Sequence, residues 1–135
     1  MERYRKGGVI YSNPNVGVEV FEATEIAPPN TPVVIKVITS VDVLVLNCVL
    51  EEAFTQHSLN HDSICRILHV GLASNRVGQP ANSVFIVLEK MHGDLAKHIK
   101  DRAVSQTPFS EAEVWHFLRQ LVAALAFAQE KVRSR

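Results

Sequence analysis

Apolar and polar positions run first with a period near two and later with a helical period, so the chain predicts strands followed by helices. Val9-Ile10-Tyr11 and Gly17 to Ala23 read as two strands of a hairpin, with Ser12-Asn13-Pro14-Asn15 supplying the turn. In the second strand Val18, Val20 and, after a phase change, Phe21 and Ala23 are apolar, while Glu19 and Glu22 point away. The dense β-branched run Val33-Val34-Ile35-Lys36-Val37 follows a proline-rich loop and reads as a buried strand, completing an antiparallel meander. Thr39 or Ser40 is placed to cap a helix from about Val41 to Leu59. Its repeat is Val41, Leu44, Val45, Cys48, Val49 and Leu59, although its first half is apolar nearly all round. A loop at Asn60-His61-Asp62-Ser63 precedes a strand from Ile64 to Val70, and a polar loop from Gly71 to Ser83 precedes the buried strand Val84 to Leu88. A short helix from Asp94 to Arg102 follows. Thr107-Pro108-Phe109 interrupts it, and Ser110-Glu111-Ala112-Glu113 is a capping box opening a helix to about Lys131. Phe117, Leu118, Leu121, Val122, Leu125 and Ala128 define that helix's apolar face.

Composition narrows the function classes. At 135 residues and 47% apolar content the chain suits one domain with a core. Lys plus Arg and Asp plus Glu are balanced at 14 each, so no net field draws nucleic acid or an acidic membrane, and neither is expected as a partner. Cys48 and Cys65 lack C-x-x-C spacing and sit among apolar neighbours, which predicts buried free thiols in a reducing compartment. The first residues have no apolar signal core, and no run approaches a membrane span, so a cytoplasmic or nuclear protein is expected.

Candidate chemistry centres on Lys36. An ammonium within an apolar strand must snorkel to water or meet an anion, because an unpaired buried charge is costly. An isolated edge strand with its lysine in water is the plain reading, and the flanking sequence is what turns attention to an anion. His57 and His61 are four apart, but a loop falls between them and no third ligand is evident, so no metal site is assigned. Trp115 is expected in the core. No G-x-S-x-G, H-E-x-x-H or G-x-x-x-x-G-K-[ST] occurs, so hydrolase, zincin and P-loop readings have no support.

Order and residues together resemble the N-terminal half of a protein kinase domain, over nearly the whole chain. Val33-Val34-Ile35-Lys36 is similar to the V-A-I-K strand, and Leu59-Asn60-His61-Asp62-Ser63-Ile64 resembles the L-N-H-P-N-I after the regulatory helix. Glu52, nine residues before His61, stands where kinases keep the glutamate that pairs with the strand lysine. Phe85 to Leu95 resembles the last N-lobe strand and hinge, and Glu113 to Leu125 the first long C-lobe helix. The resemblance implies an α+β fold: a five-stranded antiparallel sheet with one packed helix over residues 1–90, then the first two C-lobe helices over 91–135. It implies that Lys36 contacts the α- and β-phosphates of ATP and forms an ion pair with Glu52. It further implies that Glu89 to Met91 contact the adenine edge and that Val20, Val34 and Leu88 (the gatekeeper position) form apolar walls. Asp94 would meet the ribose, and Asn15, Gly17 and Val18 belong to the phosphate loop.

The chain departs from that pattern at two places. With Val20 as the valine of the glycine-rich loop, Asn13, Asn15 and Val18 fall at the three glycine positions, and Gly17 matches only if the hairpin holds one extra residue. Val34 replaces the usual alanine. The 135 residues also contain no H-R-D, no Mg-binding asparagine and no D-F-G. The resemblance therefore implies ATP binding, with Mg and transfer to protein substrates only if a longer product supplies the missing lobe. The Ser/Thr class, NEK-like group, is the nearest likeness. The alternative is a pseudokinase-type module that binds a protein partner without catalysis. Either way the apolar face of the last helix is expected to be exposed or fraying.

Overall fold

A computed structural model describes residues 2–134, and the chain divides into two compact units. The first comprises the residues up to Asn60 together with Cys65–Lys90, and the second His61–Ile64 together with Met91 onward.

The first unit is a sheet with one helix. Strands β1 (Tyr4–Asn13), β2 (Val18–Glu25), β3 (Pro32–Thr39), β4 (Ile67–Ala73) and β5 (Ser83–Glu89) form an antiparallel sheet in the order β1-β2-β3-β5-β4. Helix α1 (Val43–His57) is inserted between β3 and β4. The expected α+β class, with its five-stranded antiparallel sheet, is what the structure shows.

Both faces of the central strands are covered, which explains why β3 and β5 read as continuous apolar runs. Phe21, Ala23, Val33, Ile35, Phe85 and Val87 form one buried cluster, edged by Tyr4, Val37 and Ala73. On the other face Ile38, Ile67, Val84 and Ile86 meet Leu46 and Ala53 of α1. Gly71 of β4 lies opposite Phe85, and a Cβ there would come within 2.3 Å of the Phe85 ring, so the aromatic occupies the space a side chain would need. The polar loop expected from Gly71 thus begins later, and β4 runs from Ile67 to Ala73 rather than from Ile64 to Val70.

Helix α1 corrects the expected phase. Its inward residues are Leu46, Val49, Leu50 and Ala53, spaced three, one and three apart. Leu44 is 72% exposed, Val45 and Cys48 are exposed as well, and Val41 lies outside the helix. A segment apolar nearly all round has no unique amphipathic stripe, so contact with the sheet selects the face. Its cap is Asp42, whose Oδ1 accepts from the Leu44 N–H at 2.9 Å. Thr39 does not cap, because it completes the β3 ladder opposite Ser83 and shares a 2.8 Å hydroxyl hydrogen bond with it. Ser40 instead accepts from the Asp42 N–H.

The second unit holds α2 (Leu95–Val104) and α3 (Glu111–Arg133), and no residue of either helix is buried. Asp94 caps α2 by accepting from the Lys97 N–H at 2.7 Å. Ser110 and Glu113 form the expected capping box of α3. Arg102 fastens the turn between the helices: its guanidinium donates to the carbonyls of Thr107 and Pro108 and to both carboxylate oxygens of Glu113, and lies 4.7 Å from the Phe109 ring centre. His61 belongs here through its ring contact with Phe127, 4.9 Å between centroids. Trp115, expected in the core, is 52% exposed, with its indole N–H donating to Glu111 at 3.4 Å. Among the described residues no helix is long and apolar enough to cross a membrane.

Candidate functional site

Strand pleat and register gather five of the expected residues on one sheet face. Within β2 and β3, Val18, Val20, Val34, Lys36 and Ile38 alternate onto the face that carries α1, and Ile86 and Leu88 join them from β5. Val20 pairs with Lys36 and Lys36 with Ile86, while Val34 pairs with Leu88. Lys36 therefore stands between two apolar side chains, and Val34 stands between Leu88 and Glu22.

A cavity of about 520 Å³ opens between this face and α1. Its apolar walls include Val18, Ile38, Ile67, Ile86 and Leu88 from the sheet with Val49 and Ala53 from the helix. Its polar groups are Lys36, Glu52, Gln56 and Cys65. Val49, Glu52, Ala53 and Gln56 are one helix stripe, so helical spacing from Glu52 was the signal that could have found the other three. Gln56 Nε2 donates to the Cys65 carbonyl at 2.9 Å, joining the end of α1 to the segment entering β4. Burial, with Glu89 as a smaller contribution, raises the pKa of the Cys65 thiol, so it is held in its protonated form.

Lys36 and Glu52 face the same cavity but form no ion pair. Among the described residues the ion pairs are Arg3–Glu25, Lys6–Glu19, Lys90–Glu22 and Arg102–Glu113. Glu52 is exposed and Lys36 half-buried, so pairing them would order two long side chains for a contact that water weakens. The expected Lys36–Glu52 bridge is thus absent: Lys36 lines the cavity from β3 and Glu52 from α1. Lys36 lines a volume large enough for a small ligand.

The remaining expected residues have local roles. Gly17 has φ of +69°, its carbonyl accepts from the Thr39 N–H at 2.8 Å, and a Cβ would lie 2.2 Å from the Thr39 carbonyl oxygen. Glycine is needed there to let the β1–β2 turn touch the end of β3. Asn15 donates its N–H to the Asn13 side chain at 3.2 Å, which sets the turn. Glu89 closes the β4–β5 edge: its N–H donates to the Arg66 carbonyl and its carboxylate accepts from the Arg66 N–H. Met91 and Asp94 belong to the second unit, Met91 exposed and Asp94 serving as the cap of α2. His57 is exposed in the last turn of α1, while His61 Nδ1 accepts from the Ser63 N–H.

Searched against family models and against curated proteins, the chain matches none.

Proposed function

We propose that the first unit is a nucleotide-binding lobe of the protein-kinase type, Ser/Thr class and nearest the NEK-like group, with ATP as its ligand. The observation that carries this reading is the placement of Lys36 and Glu52 on facing walls of one cavity between a β1-β2-β3-β5-β4 sheet and its single helix. An apolar enclosure with few polar groups suits a nucleotide, and a half-buried ammonium without a carboxylate partner suits its phosphates. Bound ATP would bring the polyphosphate charge that Lys36 is positioned to meet. Val18 and Leu88 would exclude water from the base, while Glu52 would hold the Lys36 ammonium once phosphate neutralises the site. Glu89, Met91 and Asp94 would contribute by the family likeness alone. Phosphotransfer to protein substrates needs an acceptor-orienting aspartate and metal ligands that a further lobe would have to supply, because positioning and charge neutralisation are most of that chemistry.

A second reading is a pseudokinase-type module that binds a protein partner and no nucleotide. It is supported by the loop positions, where Asn13, Asn15 and Val18 stand in place of glycines, and by Val34 in place of the usual alanine.

A thermal-shift titration separates the two. Millimolar ATP with Mg should raise the melting temperature, because a ligand that binds only the folded state stabilises by about 2.7 kcal/mol at roughly 100 times its Kd. Lys36→Ala should abolish the shift. No shift in the native chain favours the second reading, and a shift that survives Lys36→Ala places the nucleotide elsewhere.

A further inference from the structure

Threonine stands directly before proline twice in the chain, at Thr31-Pro32 and Thr107-Pro108, and the structure treats the two differently. Thr31 is half-buried, its carbonyl accepts from the Glu25 N–H at 2.9 Å, and Pro32 pairs with Thr24 in the β2–β3 ladder. Thr107 lies in the turn between α2 and α3, outside any helix or strand, and residues 103–108 are all exposed. Arg102 holds its backbone at both ends. The Thr107 N–H donates to the Arg102 carbonyl at 3.0 Å, and the Thr107 carbonyl accepts from Arg102 Nε at 2.6 Å. The Thr107 hydroxyl shares a 2.6 Å hydrogen bond with that of Ser105. The position precedes the cap Ser110 and is separate from the apolar face of α3, so its exposure does not require that face to be bare.

We propose that Thr107 is a phosphoacceptor for a proline-directed protein kinase acting in trans, and that the phosphate draws Arg102 away from Glu113. The residue before a proline is biased to extended backbone, the form in which a kinase groove takes its substrate, and Pro108 brings no N–H that the groove would have to satisfy. In the transfer, Thr107 Oγ1 attacks the γ-phosphorus of ATP, its proton leaves to the kinase's base, and the bond to ADP breaks. The product carries about two negative charges at neutral pH. Arg102 is the cation within its reach, since the guanidinium already holds the Thr107 carbonyl. That guanidinium also donates to both carboxylate oxygens of Glu113. A phosphate attracts it more strongly than a carboxylate does, with more charge and three acceptor oxygens, and repels Glu113 directly. The capping box of Ser110 and Glu113 does not involve Arg102, so α3 keeps its start while the clamp across the turn opens.

Incubation of the chain with a purified proline-directed kinase and Mg-ATP, mapped by mass spectrometry, tests the first part. Phosphate is expected on Thr107 and not on Thr31, and Pro108→Ala should slow incorporation at least about tenfold. An NMR titration of the Glu113 carboxyl tests the second part. In the phosphorylated chain it should move up from about 2 toward its ordinary 4.5, while far-UV circular dichroism keeps its helix signal. Four results would each overturn the proposal: no phosphate on Thr107 when a Thr-Pro control peptide is labelled, equal labelling of Thr31, labelling indifferent to Pro108→Ala, or a Glu113 carboxyl unmoved by phosphate. Mapping uses the native chain, so it decides the matter even where Pro108→Ala disturbs the turn. None of these readouts depends on nucleotide binding by the first unit.

Discussion

Lys36 on β3 and Glu52 on α1 face each other across one cavity and do not touch. A charge pair that is not formed contributes nothing to folding. Glu52→Gln should therefore change stability by less than about 0.5 kcal/mol in urea unfolding. A loss above about 1 kcal/mol would show that the bridge closes in solution.

Two glycines are held by close approach, and the structure assigns each a different neighbour. Gly17→Ala places a side chain against the Thr39 carbonyl at positive φ and should cost about 1–3 kcal/mol. Gly71→Ala drives a methyl into the Phe85 ring and should cost a similar amount, about 1–3 kcal/mol. The second loss should shrink when Phe85→Leu is added, since the two positions share one space, while the first should be indifferent to Phe85. A double-mutant cycle in chemical denaturation reads both.

The cap of α1 is a separable test. Asp42→Ala removes the acceptor of the Leu44 N–H and should cost about 0.5–2 kcal/mol with fraying at the start of the helix. Thr39→Ala instead removes the hydroxyl contact with Ser83 and should leave helix protection unchanged. Amide exchange at residues 43–46 distinguishes the outcomes, and equal effects of both substitutions would contradict the assigned cap.

Glu113 makes the second unit sensitive to acid. The Arg102 guanidinium and the Ser110 N–H hold its carboxyl at about 2, below its ordinary 4.5. A pKa lowered by folding means that the folded state binds fewer protons. Its stabilisation is complete above about pH 4.5 and is lost as pH falls toward about 2. Helix content should decline over that window, and Glu113→Gln should remove this part of the decline. A Glu113 carboxyl titrating near 4.5 by NMR would contradict the contact with Arg102.

Much of the architecture was legible in the residues. The β-branched runs at 33–37 and 84–88, the turn chemistry before Gly17 and the capping box at Ser110 each act locally, through backbone preference and nearest neighbours. Periodicity also marked the existence of α1 and α3, and the apolar face of α3 named before folding is exposed along Leu118, Leu121, Val122 and Leu125. Lys36 stood out because a charge in an apolar strand has few cheap solutions.

Tertiary structure decided what local pattern left degenerate. A helix apolar on every side could bury Leu44 and Cys48 or Leu46 and Ala53, and only contact with β3, β4 and β5 selects the second pair. Gly71 reads as a loop residue until Phe85 lies over it, and nothing local in the sequence announces that Glu89 bonds the Arg66 backbone across the sheet edge. Whether Lys36 and Glu52 meet depends on the width of the cavity between sheet and helix. Sequence spacing carries the identity of those charges but not the distance between them, because that distance is set by how whole elements pack.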